Sequence, residues 1–88
     1  MTSYIVTYDL CGKEKDYTSL INKIKGYTSW AHVTESAWFI KTSESSTSIR
    51  DNLKKCMDVD DRLFVAELTG TAAWSNVICK SQYLKENL

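Results

Sequence analysis

Trp30-Ala31-His32-Val33-Thr34-Glu35-Ser36-Ala37-Trp38-Phe39-Ile40-Lys41 lies near the middle of an 88-residue chain and holds two short apolar runs around a polar triplet. Trp30 to Val33 and Ala37 to Lys41 are rich in aromatic and aliphatic residues, and Thr34-Glu35-Ser36 separates them. A hairpin or a bulged strand pair fits that pattern. On its N-terminal side comes Asp16-Tyr17-Thr18-Ser19-Leu20-Ile21-Asn22-Lys23-Ile24-Lys25-Gly26. Tyr17, Leu20, Ile21 and Ile24 recur at helical spacing with lysines opposite, Asp16 or a neighbour can cap the start, and Gly26 can end it. On the C-terminal side, the polar run Thr42 to Ser48 offers Ser45 or Ser46 as a cap. Ile49, Leu53 and Cys56/Met57 then mark a second amphipathic helix.

Further out on either side lie two more strand-like runs. Tyr4-Ile5-Val6-Thr7-Tyr8-Asp9-Leu10 precedes the first helix and stops at Gly12. Arg62-Leu63-Phe64-Val65-Ala66-Glu67-Leu68 follows the turn Asp58-Val59-Asp60-Asp61 and ends at Gly70. The order is β-α-β-β-α-β, an α+β chain of the ferredoxin-like, split βαβ kind with an antiparallel sheet. Right-handed crossovers place the first and third strands in the centre and both helices on one face. Residues 1–75 form this domain, and residues 76–88 extend it with either a short helix near Ser81–Leu88 or an added strand around Val77–Cys79.

The strands are apolar on both faces. Tyr4, Val6 and Tyr8 oppose Ile5; Trp38 and Ile40 oppose Phe39; Leu63 and Val65 oppose Phe64, Ala66 and Leu68. Helices cover only one face, so the expectation is a sheet-to-sheet homodimer that covers the other. Ile21, Ile24 and Leu53 should point from the helices onto the sheet.

Composition narrows the function. Hydrophobic residues make up 43% and charged residues 25%, the balance of a globular domain and not of a disordered tail. Eleven basic residues offset eleven acidic ones, which speaks against a surface devoted to gripping phosphates. No run is long enough to cross a membrane and no signal peptide is evident, so a cytoplasmic protein is expected. Cys11, Cys56 and Cys79 lie far apart without a CxxC, and His32 is the single histidine, so neither a disulfide framework nor a zinc site is indicated. P-loop, GxGxxG, HExxH and Ser-His-Asp patterns are absent from the sequence.

The first strand, running into Tyr8-Asp9, resembles that of the small CRISPR-associated protein two. Glu35-Ser36-Ala37-Trp38-Phe39 is similar to that family's hairpin motif, in which a serine precedes a hydrophobic pair. Ile49 to Leu53, Asp60 to Leu63 and Gly70 to Trp74 look closer still to short stand-alone, SinR-like relatives from phages, plasmids and mobile elements. VapD-type ribonucleases form a more distant branch. The match spans roughly residues 3 to 75. The resemblance implies a ferredoxin-like homodimer in which the first-strand aspartates face each other across the two-fold axis. In some members they hold a divalent metal, Mg²⁺ here, and support phosphodiester cleavage. By position, Asp9 matches the metal-binding, catalytic aspartate and Ser36 the hairpin serine. The further acid that competent relatives carry shortly afterwards is missing from Leu10-Cys11-Gly12-Lys13.

Read from the residues themselves, Asp9 ends an apolar strand, where a carboxylate serves either a cation or an Asx-type cap of the turn Leu10-Cys11-Gly12. Tyr8 and Tyr4 stack on bases or fill the core and interface. His32 is a general base or an ordinary hydrogen-bonded residue. Lys13, with Lys15, Lys23 and Lys25, contacts phosphate or forms a solvated helix face. Ser36 binds a phosphate oxygen or closes the hairpin. Two functional classes follow: a dimer handling RNA or DNA, with Mg²⁺-dependent phosphodiesterase activity, or a non-catalytic dimer binding a protein or small nucleotide in toxin neutralisation or counter-defence.

Overall fold

The computed structural model describes residues 1–11 and 17–88. Its elements are β1 (Thr2–Asp9), α1 (Thr18–Lys25), β2 (Ser29–Thr34), β3 (Ala37–Thr42), α2 (Ser46–Lys54), β4 (Arg62–Leu68) and α3 (Ser81–Asn87). The strands form one antiparallel sheet in the order β2-β3-β1-β4. This is the α+β arrangement expected from the element order, compatible with a ferredoxin-like fold. β1 and β3 are central because α1 carries the chain past one strand position, which the hairpin then fills with β3, and α2 carries it back past β1.

The alternation of the strands decides which side chains meet the helices. Tyr4, Val6, Trp38 and Ile40 are buried in one cluster with Leu20 and Ile24 of α1 and Ile49 and Leu53 of α2. Ile21, Leu63 and Val65 pack against its rim. Ser45 caps α2, its Oγ accepting Ser48 N–H at 3.1 Å. That helix ends at Lys54, earlier than the sequence periodicity suggests. Cys56 and Met57 instead sit in tight turns, donating to the carbonyls of Leu53 and Lys54. At the start of α1 the capping position belongs to Tyr17 and lacks a side-chain cap. The expected cap Asp16 lies outside the described residues, as do Gly12, Lys13 and Lys15.

The hairpin carries a β-bulge between His32 and Thr34, where Val33 has no partner in the β2–β3 register. The displaced Val33 carbonyl accepts Ile78 N–H at 2.9 Å. That bond attaches the C-terminal segment to the outer edge of β2.

The second face of the sheet departs from the expectation that a second copy alone would cover it. The chain after β4 turns at Gly70, whose φ of 96° favours glycine, and ends as α3 on this face. Leu84 packs with Phe39 and Ala31, surrounded by Val33, Leu68, Trp74, Val77, Cys79, Tyr83 and Leu88. The Phe39 and Tyr83 rings meet edge to face at 5.7 Å. Ser3 Oγ and Lys41 Nζ both donate to the Asn87 carbonyl, at 2.9 and 3.3 Å, and Ser29 hydrogen-bonds Tyr83 OH. The tail is therefore the helix of the two alternatives, docked over one half of the face. The other half, around Ile5, Thr7, Asp9, Arg62 and Phe64, stays open.

Candidate functional site

β1 and β4 run antiparallel with Asp9 opposite Arg62 and Thr7 opposite Phe64. Residues two apart on a strand share a face, so these four side chains project together from the open half of the sheet. Arg62 Nη1 stands 3.5 Å from Asp9 Oδ2, with side chains 75% and 72% exposed. Phe64 is 63% exposed, unusually so for a large ring on a strand. Thr7, Tyr8, Asp9, Ser36, Arg62, Leu63 and Phe64 line a hollow of about 310 Å³. A second hollow of about 300 Å³ lies against it, bounded by Tyr8, Asp9, Leu10, Glu35 and Ser36. Asp9 thus stands on the ridge between two depressions at the strand's end.

Ser36 reaches this place because the hairpin tip is tied to β1 through Tyr8 N–H, which donates to the Ser36 carbonyl at 3.2 Å. Asp9 and Ser36, far apart in sequence, are thereby brought together. Tyr8 also lines both hollows, yet its hydroxyl accepts Trp38 Nε1–H at 3.0 Å on the helix side of the sheet. Its ring is partly buried against the helix-side core. Tyr4 is buried and donates to the Glu44 carbonyl at 2.8 Å. Lys13 lies outside the described residues.

In the turn after β1, the Cys11 N–H that an Asx-type cap by Asp9 could take up is bonded to another carboxylate. Cys11 N–H donates at 2.8 Å to Asp61 Oδ1, a residue fifty positions away. Asp61 also accepts Asp58 N–H at 2.8 Å and Tyr17 OH at 3.2 and 3.1 Å. Asp61 therefore holds the segment after β1, the start of α1 and the turn before β4 together.

His32 stacks on Trp38 with ring centroids 4.1 Å apart, and its Nε2 lies 3.1 Å from the Glu35 carbonyl. That is a structural role inside the hairpin. Lys25 sits over Trp30 and Trp38, and Lys23 donates to Asn52 Oδ1 at 3.3 Å, so these two lysines serve packing around α1. Arg62 and Phe64 are the residues that reading the sequence missed as site residues. The signal was present in the antiparallel pairing of β1 with β4, which sets an arginine at one strand's start against an aspartate at the other's end.

Among the described residues, no group of three or more His, Cys, Asp and Glu side chains gathers in a way that would hold a metal ion. A hard cation is held by anionic and neutral oxygens, and here a guanidinium nitrogen stands against the carboxylate. What the hollow does offer is a carboxylate acceptor, a guanidinium donor, two hydroxyls and an open aromatic ring.

Among the described residues, no helix is long and apolar enough to cross a membrane. A scan of protein-family models found no match to the chain, and a search of curated proteins found no similar sequence.

Proposed function

We propose that the protein is a nucleic-acid-handling module of the CRISPR-associated protein two-like kind, from a phage or other mobile element, working in the cytoplasm as a homodimer. The observation that carries this reading is the gathering of Asp9, Ser36, Arg62 and Phe64 around one hollow, on the half of the sheet that α3 leaves open. The chain's own helix covers the half with Phe39 and Ala31, so a sheet-to-sheet dimer has the strip around Ile5 and Ala66 to use, with the Asp9, Arg62 and Phe64 hollow at its rim. Two copies meeting there would place their hollows on a common cleft. In such a dimer Asp9 from each copy would supply a carboxylate to one Mg²⁺, once Arg62 turns aside.

The non-catalytic reading, a dimer that binds a small nucleotide or protein in toxin neutralisation or counter-defence, draws support from the Asp9–Arg62 pair. A cation already neutralises the carboxylate, and binding then needs no metal.

The experiment combines light scattering with binding and cleavage of labelled RNA and DNA, with and without Mg²⁺, using Asp9→Ala as control. A dimer that cleaves only with Mg²⁺ and loses cleavage in the variant supports the catalytic form. Metal-independent binding without cleavage supports the second reading. A stable 10.1 kDa monomer that binds no nucleic acid overturns the proposal.

A further inference from the structure

The Asp9–Arg62 pair carries no net charge, and its chemistry therefore discriminates among ligands more sharply than a basic patch would. The pair has one close contact, at 3.5 Å, between exposed groups. Such pairs hold their partners weakly, so both groups can exchange each other for a ligand at little cost. A bare phosphate would gain from Arg62 and lose against Asp9. The pair is satisfied by an edge that presents hydrogen-bond donors to the carboxylate and, alongside them, acceptors to the guanidinium.

Among the four common bases, guanine presents that edge. Its N1–H and N2–H₂ give a carboxylate two adjacent donors, and O6 with N7 gives a guanidinium fork two adjacent acceptors. Adenine and cytosine each have a single exocyclic amino group flanked by a ring acceptor, and uracil sets one donor between two acceptors. Phe64 supplies the stacking surface. It follows Arg62 by two residues on the same face and lies diagonally across from Asp9, a reach of about 7 to 8 Å that a purine can span. The base must be unpaired, because pairing would occupy its N1 and N2 edge. A hollow of about 310 Å³ is at the small end of ligand sites and fits one base, not a duplex.

We propose that Asp9, Arg62 and Phe64 form a guanine-selective site for single-stranded nucleic acid: Asp9 accepts from N1–H and N2–H₂, Arg62 donates to O6 and N7, and Phe64 stacks on the ring. This rests on the reading that the protein handles nucleic acid, with the hollow at the rim of the dimer's cleft open to the ligand. It is also consistent with zero net charge, since selection here comes from a base edge and not from phosphates.

The test uses the full chain in EDTA at low salt, with fluorescently labelled eight-nucleotide RNAs. One is all uridine, and the others carry a single guanine, adenine, cytosine or inosine at the fourth position. The guanine oligomer is expected to bind at least ten-fold tighter than the adenine and cytosine ones, with inosine, which lacks the N2 amino group, in between. Asp9→Asn and Arg62→Ala should each bring the guanine oligomer down to the level of the uridine one. Phe64→Ala should weaken every oligomer by roughly five-fold or more, the scale of a lost base–aromatic stack. Binding of all oligomers without preference for guanine, or a preference that survives Asp9→Asn, overturns the guanine site alone. No binding of any oligomer overturns both the site and the nucleic-acid reading beneath it.

Discussion

Arg62 lies directly across the β1–β4 ladder from Asp9, and the two side chains make their ion pair at 3.5 Å in the open. An exposed pair of this kind contributes little to folding, because water screens it and ordering two side chains costs entropy. Arg62→Ala is therefore expected to change unfolding free energy by less than about 1 kcal/mol. Urea denaturation measures this. A loss well above that figure would make Arg62 a structural residue and remove it from the site.

Asp61 is the contrasting case, a carboxylate whose bonds hold the fold. It accepts from Cys11 N–H, Asp58 N–H and Tyr17 OH, and so joins three segments that surround the N-terminal end of α1. Asp61→Ala removes an acceptor that three donors share and should cost about 1.5 to 3 kcal/mol, the scale for hydrogen bonds to a charged group. Tyr17→Phe should cost less, since it removes one donor and keeps the ring packed. Equal stability of Asp61→Ala and the parent in denaturant would show that the clasp does not matter.

Much of this arrangement was legible from the residues. The order of the elements, a hairpin or bulged pair at the centre, Ser45 or Ser46 as the cap of α2, and Ile24 and Leu53 with the rim residue Ile21 as the helix side of the core follow from periodicity, because strands and helices sort apolar side chains by local geometry; which strand face the helices cover did not. Asp9 and Ser36 also stood out, one as a carboxylate closing an apolar strand and the other at a hairpin tip. Arg62 and Asp61 did not, because their roles depend on strand register and on contacts across fifty positions. The tail was ambiguous for the same reason. Ser81–Asn87 is short and weakly patterned, and its place is set by long-range bonds such as that between Ser3 and Asn87.

Tyr27 gives a pH prediction. Burial raises its phenol above the ordinary value of 10.0, the hydrogen bond from Asn52 works in the lowering direction, and the Glu44 carboxylate adds to the rise. A raised acid stays neutral in the folded chain while the unfolded chain ionises. Its contribution is thus complete below the unfolded value and is lost as pH climbs from there through the folded one. Ultraviolet titration should show one tyrosine ionising late, and Tyr27→Phe should flatten the fall in stability above about pH 10. An unchanged alkaline profile in Tyr27→Phe would assign that fall to other groups.

Leu53 tests the helix-covered face. It is fully buried between α2 and the sheet, and Leu53→Ala should cost about 2 to 5 kcal/mol, a large part of the stability of a domain this small. A loss under about 1 kcal/mol would mean that the core around α2 collapses onto the gap or was never tightly packed.

Leu84 tests the other face, and with it the role of the tail. Its side chain is the buried anchor of α3 over Phe39 and Ala31, while most of the path from Thr69 to Asn76 is exposed. A seven-residue helix has little stability of its own, so α3 persists through its docking. Leu84→Ala should therefore detach α3 locally before the sheet unfolds. The amides of residues 81 to 88 would lose protection from hydrogen exchange, while those of β1 and β3 keep theirs. Detachment would also uncover Phe39 beside Ile5, joining the two halves of the second face into one apolar surface. The variant is expected to self-associate more strongly than the parent in light scattering. If exchange in β1 and β3 rises together with that in α3, the tail is an integral layer of the fold; if α3 is lost without stronger association, the second face does not drive self-assembly.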